Sequence, residues 1–226
     1  MNVGVLGTGV VGRIIGAKAA QLGHSVVMGT RDVNKSLAQD KTDGMGNEPL
    51  NVWLQQHPQI KLATFAGAAT FGAIVFNCTS GGNSLDALSM AGEQNLNGKV
   101  LIDIANPLDF SRGMPPTLSI CNTDSLGEQI QRTFPQVKVV KTLNTMNANV
   151  MVNPSLVPGD YDVFVSGDDP AAKAQVTEIL RTWFGWKSVI DLGDIKTARG
   201  VEMMLPVWLS LWGALQTPMF NFRVTR

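Results

Sequence analysis

The chain has 226 residues, 44% of them hydrophobic, and its 18 basic and 18 acidic residues leave no formal net charge. The length allows one large domain or two small ones, and the neutral balance argues against nucleic acid as a partner. Two cysteines are too few for a disulfide framework or metal cluster, so we expect free thiols in the cytoplasm and no metal. The longest apolar stretch, 203–215, is shorter than the roughly 20 residues of a spanning helix, so no membrane partner is expected.

Short β-branched runs alternate with stretches of helical periodicity along the chain. The predicted strands cover 2–7, 25–30, 60–64, 72–79, 99–106, 137–143, 162–167 and 188–193. The predicted helices cover 10–22, 32–40, 48–56, 83–92, 124–134, 170–183 and 195–215, with a loop over 43–50. Alternating strands and helices predict a single α/β domain over 1–226, with a mostly parallel sheet, helices on both faces and an apolar C-terminal helix.

The first predicted strand leads into the first helix through the motif Gly7-Thr8-Gly9-Val10-Val11-Gly12. In this setting the first glycine makes a tight turn, the second lets a pyrophosphate approach the backbone, and the third lets helix and strand pack closely. The helix N-terminus adds free N–H groups and a partial positive charge. The motif therefore indicates a Rossmann-type fold that binds a dinucleotide. A glycine-rich turn without a ligand is the alternative.

The residues after the second strand predict which dinucleotide is bound. An acid at this strand end would bind the adenosine ribose and favour NAD, whereas this chain has Thr30 followed by Arg31. Arg31, with Lys35 one helical turn further on, suits a 2′-phosphate. We therefore predict NADP(H), with Asp32 as a helix cap. If the strand ended one residue later, Asp32 would take the ribose role and the cofactor would be NAD.

Four stretches carry a resemblance to a known family: GTGVVG (7–12), GTRD (29–32) with Lys35, VVKTLNT (139–145) and VFVSGDDPAAKAQVTEIL (163–180). They resemble the NADPH-dependent deazaflavin reductases, which pass hydride between NADP(H) and 8-hydroxy-5-deazaflavin. The segment DLGDIKTARGVEMMLPVW (191–208) is similar to the same family, and also to the cytosolic oxidoreductase domain of six-transmembrane ferric reductases. The resemblance covers nearly the whole chain.

The resemblance implies roles for particular residues. Thr8, Gly9, Val10 and Val11 match the family's pyrophosphate turn, and Thr30, Arg31 and Lys35 match its 2′-phosphate pocket. Three strand ends match positions near the ribose and nicotinamide, and their residues are Thr79, Ser80, Asn106, Pro107, Leu143 and Asn144. In an open α/β sheet, ligands sit beyond the carboxyl ends of the strands, which agrees with this placement.

The C-terminal segment 203–215 is apolar nearly all round a helix, so it needs burial on more than one face. Ordinary core is one explanation. The others are a homodimer interface through this helix and a wall against a flat aromatic acceptor, with Pro206 and Trp208 in contact with it. Glu202 either lines this acceptor pocket or caps a polar contact beneath it.

Hydride transfer between stacked rings needs little acid–base help, which fits a chain with few candidate catalytic residues. The expected function is an NADPH-dependent oxidoreductase whose second substrate is a deazaflavin or flavin, a small-molecule ring acceptor. One alternative is an NADP(H)-binding sensor or subunit without turnover. Another is a reductase of a small keto or imine substrate.

Overall fold

An eight-stranded sheet forms the centre of the computed structural model, which describes residues 1–42 and 46–226. The strands of the described chain are β1 (Asn2–Leu6), β2 (Ser25–Thr30), β3 (Ile60–Thr64), β4 (Ile74–Asn77), β5 (Val100–Asp103), β6 (Leu108–Asp109), β7 (Thr117–Leu118), β8 (Lys138–Thr142), β9 (Asp162–Ser166) and β10 (Ser188–Gly193). The sheet order is β10-β9-β8-β5-β4-β1-β2-β3, and β6 pairs with β7 in a separate two-stranded sheet.

Neighbouring strands of the central sheet run parallel except for β8 and β9, where Lys141 pairs with Ser166 in antiparallel register. Strands β1, β2, β3, β4, β5 and β8 therefore all end at one edge of the sheet. This carboxyl edge is where a doubly wound fold binds its ligands.

Helices cover both faces of the sheet. They are α1 (Val10–Gln21), α2 (Val33–Leu37), α3 (Leu50–Gln56), α4 (Phe65–Phe71), α5 (Ser84–Ala91), α6 (Glu93–Leu96), α7 (Leu126–Thr133), α8 (Ala148–Val152), α9 (Pro170–Ile179) and α10 (Ala198–Leu215). Strand side chains alternate between two buried clusters, so Ile74 and Phe76 face one layer of helices while Val75 faces the other. Because both faces of such a strand are covered, its sequence is a continuous apolar run. Ile74-Val75-Phe76 in β4 is an example.

The fold class predicted from the sequence is confirmed: one α/β domain of Rossmann type with a mostly parallel sheet and a C-terminal helix. Strands β2, β3 and β10 have the predicted bounds. Two strands are shorter than the predicted 72–79 and 99–106, because their last residues turn away into polar loops at the carboxyl edge. The loop predicted over 43–50 falls partly on 43–45, which lie outside the described residues.

Helices α4, α6 and α8 were missed by the sequence analysis because each is short. Helix α4 follows β3 directly, and its start depends on Thr64, whose hydroxyl accepts a hydrogen bond from the Gly67 N–H at 3.1 Å. Within 1–42 and 46–226, no helix is long and apolar enough to cross a bilayer.

Candidate functional site

The three glycines of the first turn have different surroundings. Gly7 has a φ of 114°, and a Cβ there would lie 2.6 Å from the carbonyl oxygen of Cys78. A Cβ on Gly12 would lie 2.2 Å from the Gly7 carbonyl oxygen. Gly9 has an extended backbone (φ −74°, ψ −175°), and a Cβ there would meet nothing within 4 Å. Gly7 and Gly12 are therefore required for packing, whereas Gly9 leaves open space before the N-terminus of α1.

Arg13 holds this turn from the first part of α1. Its Nε donates to the Thr8 carbonyl at 2.9 Å, and one terminal nitrogen donates to the Glu48 carbonyl at 2.7 Å. No sequence pattern predicts this contact, because Glu48 is 35 residues away along the chain. The guanidinium both fixes the backbone of Thr8 and brings a positive charge to the helix end that an anion would approach.

At the end of β2, the structure agrees with the predicted boundary. The strand ends at Thr30, and the Asp32 carboxylate accepts a hydrogen bond from the Lys35 N–H at 3.0 Å as the cap of α2. Arg31 and Lys35 are exposed. The Thr30 hydroxyl lies 2.7 Å from the hydroxyl of Ser36, a residue that the sequence analysis did not select.

The loops after β4, β5 and β8 meet at the carboxyl edge. A Cβ on Gly81 would lie 2.0 Å from the Asn106 carbonyl oxygen, so the loop after β4 packs directly on the loop after β5. Asn106 Nδ2 donates to the Asn144 carbonyl and Asn144 Nδ2 donates to Asn106 Oδ1, both at 2.9 Å. These bonds join the loop after β5 to the loop after β8. The structure thus brings the predicted strand-end residues together: Thr79, Ser80, Asn106, Pro107, Leu143 and Asn144.

Leu143 has a φ of 61°, a left-handed conformation that is rare for a branched aliphatic residue. Its side chain is buried. The turn directs the next side chain, so that Asn144 Nδ2 also donates to the Val201 carbonyl in α10 at 3.1 Å. This unusual backbone is held in place by the packing of Leu143 and by the bonds of Asn144.

A buried chain of polar groups lies beneath these loops. The Thr79 hydroxyl donates to Asn77 Oδ1 at 2.7 Å, and Asn77 Nδ2 donates to Asp103 Oδ1 at 2.8 Å. Lys141 Nζ lies 2.8 Å from Asp103 Oδ2 and 2.9 Å from Glu202 Oε1. Burial lowers the pKa of Lys141, but the charges of Asp103 and Glu202 outweigh it and raise that pKa above its ordinary value.

Lys141 is not among the site residues predicted from the sequence, although the sequence carries one signal for it. A lysine inside the otherwise apolar run VVKTL (139–143) lies in a strand expected to be buried on both faces. A buried lysine needs an anionic partner. The natural candidate was the aspartate inside the neighbouring run LIDIA (101–105).

Of the two roles expected for Glu202, the acceptor contact is corrected. Its side chain is 1% exposed, and its carboxylate accepts hydrogen bonds from the N–H groups of Leu126 at 2.8 Å and Gly127 at 3.0 Å. Glu202 therefore caps α7 from beneath the site, which is the second role. The carboxylate is fully engaged because three donors converge on it.

The two other expected acceptor contacts differ in exposure. Pro206 is exposed inside α10. Trp208 is buried, with its ring centroid 5.4 Å from those of Trp212 and Phe220, so both neighbours cover it within the protomer. Its indole Nε1 is buried and has no hydrogen-bond partner among residues 1–42 and 46–226.

Helix α10 carries apolar surface on more than one of its sides that the described protomer leaves exposed. Val207 is 53% exposed and Leu215 is 54% exposed, with Met203 and Trp212 also exposed along the same helix. Glu202 is the sole charged residue between 200 and 217, and it is buried. This surface, Met203, Val207, Trp212 and Leu215, is called the α10 patch below.

The chain is similar to several known proteins. Residues 2–107 match the sequence pattern of a family described as coenzyme F420-dependent NADP oxidoreductases. A solved structure from Arthrobacter sp. FB24, provisionally described as an F420-dependent NADP reductase, is 56% identical, with 100% of both chains covered and a TM-score of 0.94.

Two curated relatives are more distant. The F420-dependent NADP reductase of Methanothermobacter marburgensis is 26% identical over 215 residues, 93% of this chain and 92% of that protein. The metalloreductase STEAP3 of Rattus norvegicus is 28% identical over 212 residues, 92% of this chain, but the match spans only 38% of its length. The resemblance drawn from the sequence is thereby confirmed. The match along both whole chains at 56% identity, with the family pattern across the glycine turn, shows that the chain belongs to the family of coenzyme F420-dependent NADP oxidoreductases.

Proposed function

We propose that the chain transfers a hydride between NADP(H) and a deazaflavin of the F420 type or a related flavin. One observation carries the proposal: the strand order β8-β5-β4-β1-β2 sets the loops of the site in a line along the carboxyl edge. The polar loops after β8, β5 and β4 stand at one end, the open glycine turn after β1 in the middle, and the cations after β2 at the other. In NADP(H), the nicotinamide, the pyrophosphate and the adenosine 2′-phosphate follow one another in the same order.

The residues of this line fit the parts of NADP(H). The open space at Gly9 lets a pyrophosphate reach the N–H groups at the start of α1. Arg31 and Lys35 supply the two cations for a 2′-phosphate, beside the hydroxyls of Thr30 and Ser36. Because Asp32 is engaged as the cap of α2, its carboxylate is directed away from the ribose role that NAD would require.

The nicotinamide would lie against the three joined loops, where Thr79, Ser80, Asn106, Pro107, Leu143 and Asn144 lie together. The cofactor supplies the hydride. The chain supplies position, because the cross-bonds between Asn106 and Asn144 fix the surface on which the ring rests. The reduced acceptor also takes up one proton, which solvent supplies in this proposal.

We propose that the acceptor binds between these loops and α10. We also propose that a second copy of the chain packs against the α10 patch. Pro206 would form part of the acceptor wall, and Trp208, packed against Trp212 and Phe220, would support that wall from inside the protomer. A homodimer is favoured because the patch carries no charge and can face itself across a two-fold axis. The resemblance to the deazaflavin reductases implies the same arrangement.

The test is NADPH consumption by the purified protein with a panel of acceptors: oxidised deazaflavin coenzyme, riboflavin, FMN, FAD and a ferric chelate. NADH is run in parallel. The expected result is turnover with NADPH and the deazaflavin coenzyme, and much slower turnover with NADH. Turnover with the ferric chelate alone would instead favour the activity named for the metalloreductase relative. Tight NADPH binding without turnover of any acceptor would contradict the proposal.

A further inference from the structure

The buried chain of polar groups beneath the site contains three charged residues. Asp103 and Lys141 have 0% side-chain exposure and Glu202 has 1%. One ammonium lies between two carboxylates, so the three residues together carry one negative charge if all are ionised. Such a charge in a region of low dielectric acts at longer range than a charge in water.

The hydrogen bonds indicate that both carboxylates are ionised. Asp103 accepts from Asn77 Nδ2 at 2.8 Å, from the Ala105 N–H at 3.2 Å and from Lys141 Nζ at 2.8 Å. Glu202 likewise receives only donors, from Lys141 and the N–H groups of Leu126 and Gly127. A protonated carboxyl would have to donate into this set, and the described neighbours offer it no acceptor in these contacts.

In the described part of the chain, the Glu128–Arg199 pair and Cys78 do not cancel this excess. Glu128 and Arg199 form an ion pair with one another, with Arg199 Nε donating to Glu128 Oε2 at 2.8 Å, and so contribute no net charge. Cys78 stays a neutral thiol, because burial, and after it the charge of Asp103, raises the pKa of that thiol. The network of Asp103, Lys141 and Glu202 therefore keeps a net charge of −1.

The network also touches the loops that would hold the nicotinamide. Asp103 reaches the Thr79 hydroxyl through Asn77, and Lys141 Nζ donates to the Ala105 carbonyl, next to Asn106. Glu202 follows Val201, whose carbonyl accepts from Asn144. Each of the three loops is thus in contact with the network through no more than one intervening residue.

We propose that the excess negative charge supplied by Glu202 favours the oxidised, cationic nicotinamide over the reduced, neutral ring, and so makes bound NADPH a stronger hydride donor. This inference rests on the proposed function. In the transfer, a C–H bond of the reduced nicotinamide breaks and the same hydrogen forms a new bond to the ring of the deazaflavin or flavin, which receives both electrons and then takes up one proton from solvent. The ring left behind is a cation, which a buried anion stabilises. Glu202 does not contact the nicotinamide in this proposal, and its charge acts on the ring through the residues between them.

The test compares the dissociation constants of NADP⁺ and NADPH for the wild type and for Glu202→Gln. Removal of one negative charge is expected to raise the ratio of the NADP⁺ constant to the NADPH constant by about threefold to tenfold. Glu128→Gln is the control: it also removes one carboxylate charge, but one beside Arg199, whose side chain is 34% exposed, so solvent screens the change and the ratio should stay within about twofold. Asp103→Asn is a second variant, expected to shift the ratio in the same direction if Glu202→Gln does not fold.

The outcomes separate this inference from the proposed function. If the folded variants bind both forms less tightly but with an unchanged ratio, Glu202 is only structural and the inference is wrong. If the ratio falls, the sign of the electrostatic argument is wrong. If the wild type binds neither NADP⁺ nor NADPH, the proposed function itself fails, and it does so before any variant is compared.

Discussion

Asn106 and Asn144 bind each other twice, with each amide nitrogen donating to an oxygen of the other residue at 2.9 Å. They are 38 residues apart along the chain and come from the loops after β5 and β8. Asn144 also donates to the Val201 carbonyl of α10 at 3.1 Å. This pair therefore ties two strand-end loops to the C-terminal helix, and fixes the surface that we assign to the nicotinamide.

Replacing Asn144 should destabilise the protein as well as the site. In Asn144→Ala, Asn106 Oδ1 and the Val201 carbonyl lose their donor, which costs about 1–3 kcal/mol of unfolding free energy. Asn144→Asp should cost more at neutral pH, because a carboxylate cannot donate to either acceptor. Urea unfolding measures both, and Asn97→Ala, exposed at the opposite edge of the sheet, is the control. Equal stability of Asn144→Ala and wild type would contradict the importance of the pair.

The glycine turn allows cofactor contact and packing to be separated. Gly9→Ala should fold with unchanged stability, because the backbone is extended and the new Cβ meets nothing within 4 Å. Its NADPH affinity should fall by at least about tenfold, since the methyl occupies the space that a pyrophosphate needs. Calorimetric titration with NADPH, beside thermal unfolding, measures both quantities.

Gly12→Ala should behave in the opposite way. Its Cβ would lie 2.2 Å from the Gly7 carbonyl, so helix and strand must separate and the unfolding free energy should fall by about 1–3 kcal/mol. A Gly9→Ala protein that unfolds as readily as Gly12→Ala would contradict the assignment of open space to Gly9.

The cations after β2 should determine the preference for NADPH over NADH. Arg31→Met and Lys35→Met should each weaken NADPH binding by about fivefold to thirtyfold, from the loss of a charge-assisted contact with the 2′-phosphate. NADH binding should change little. Fluorescence titration at low and high salt measures the effect, with Arg181→Met, an exposed arginine beyond α9, as the control. If the affinities for NADPH and NADH fall by the same factor, these side chains do not contact the 2′-phosphate.

Much of the fold could be predicted from the sequence because its signals are local. A strand buried on both faces reads as an apolar run, and the end of β2 at Thr30 followed from propensity and the capping position of Asp32. The glycine turn likewise places all its residues within one short segment. Short helices such as α4 lack enough turns to produce a periodic pattern.

The central part of the site could not be predicted in the same way, because it depends on tertiary contacts. Glu202 lies 75 residues from the Gly127 N–H that it caps, and Lys141 lies 38 residues from Asp103. No spacing rule relates such positions in one sequence. Two roles stayed open for Glu202 for the same reason, since a polar residue on an apolar helix is compatible with a ligand contact until its partners on another helix are known.

The Glu128–Arg199 pair should make stability depend on pH in the acid range. The hydrogen bonds from Arg199 lower the pKa of Glu128 below its ordinary 4.5. The stabilisation is therefore fully present above pH 4.5 and is lost as the pH falls through the lowered pKa of the folded state. Glu128→Gln should be less stable than wild type by about 1–3 kcal/mol at pH 7, and the difference should shrink in acid. Urea unfolding at several pH values measures it, and a difference independent of pH would contradict an ionic origin.

The α10 patch should hold two copies of the chain together. Val207→Glu places a charge on a side chain that is 53% exposed in the protomer, so it should fold normally but fail to pair, because two carboxylates would be buried at the two-fold contact. Light scattering after size-exclusion chromatography should give a dimer for wild type and a monomer for the variant. Val52→Glu, on an exposed apolar position of α3, should remain a dimer.

If turnover with the deazaflavin coenzyme also falls in Val207→Glu while NADPH affinity is kept, the partner helps to form the acceptor site. If wild type is a monomer at micromolar concentration, the proposed pairing through α10 is wrong.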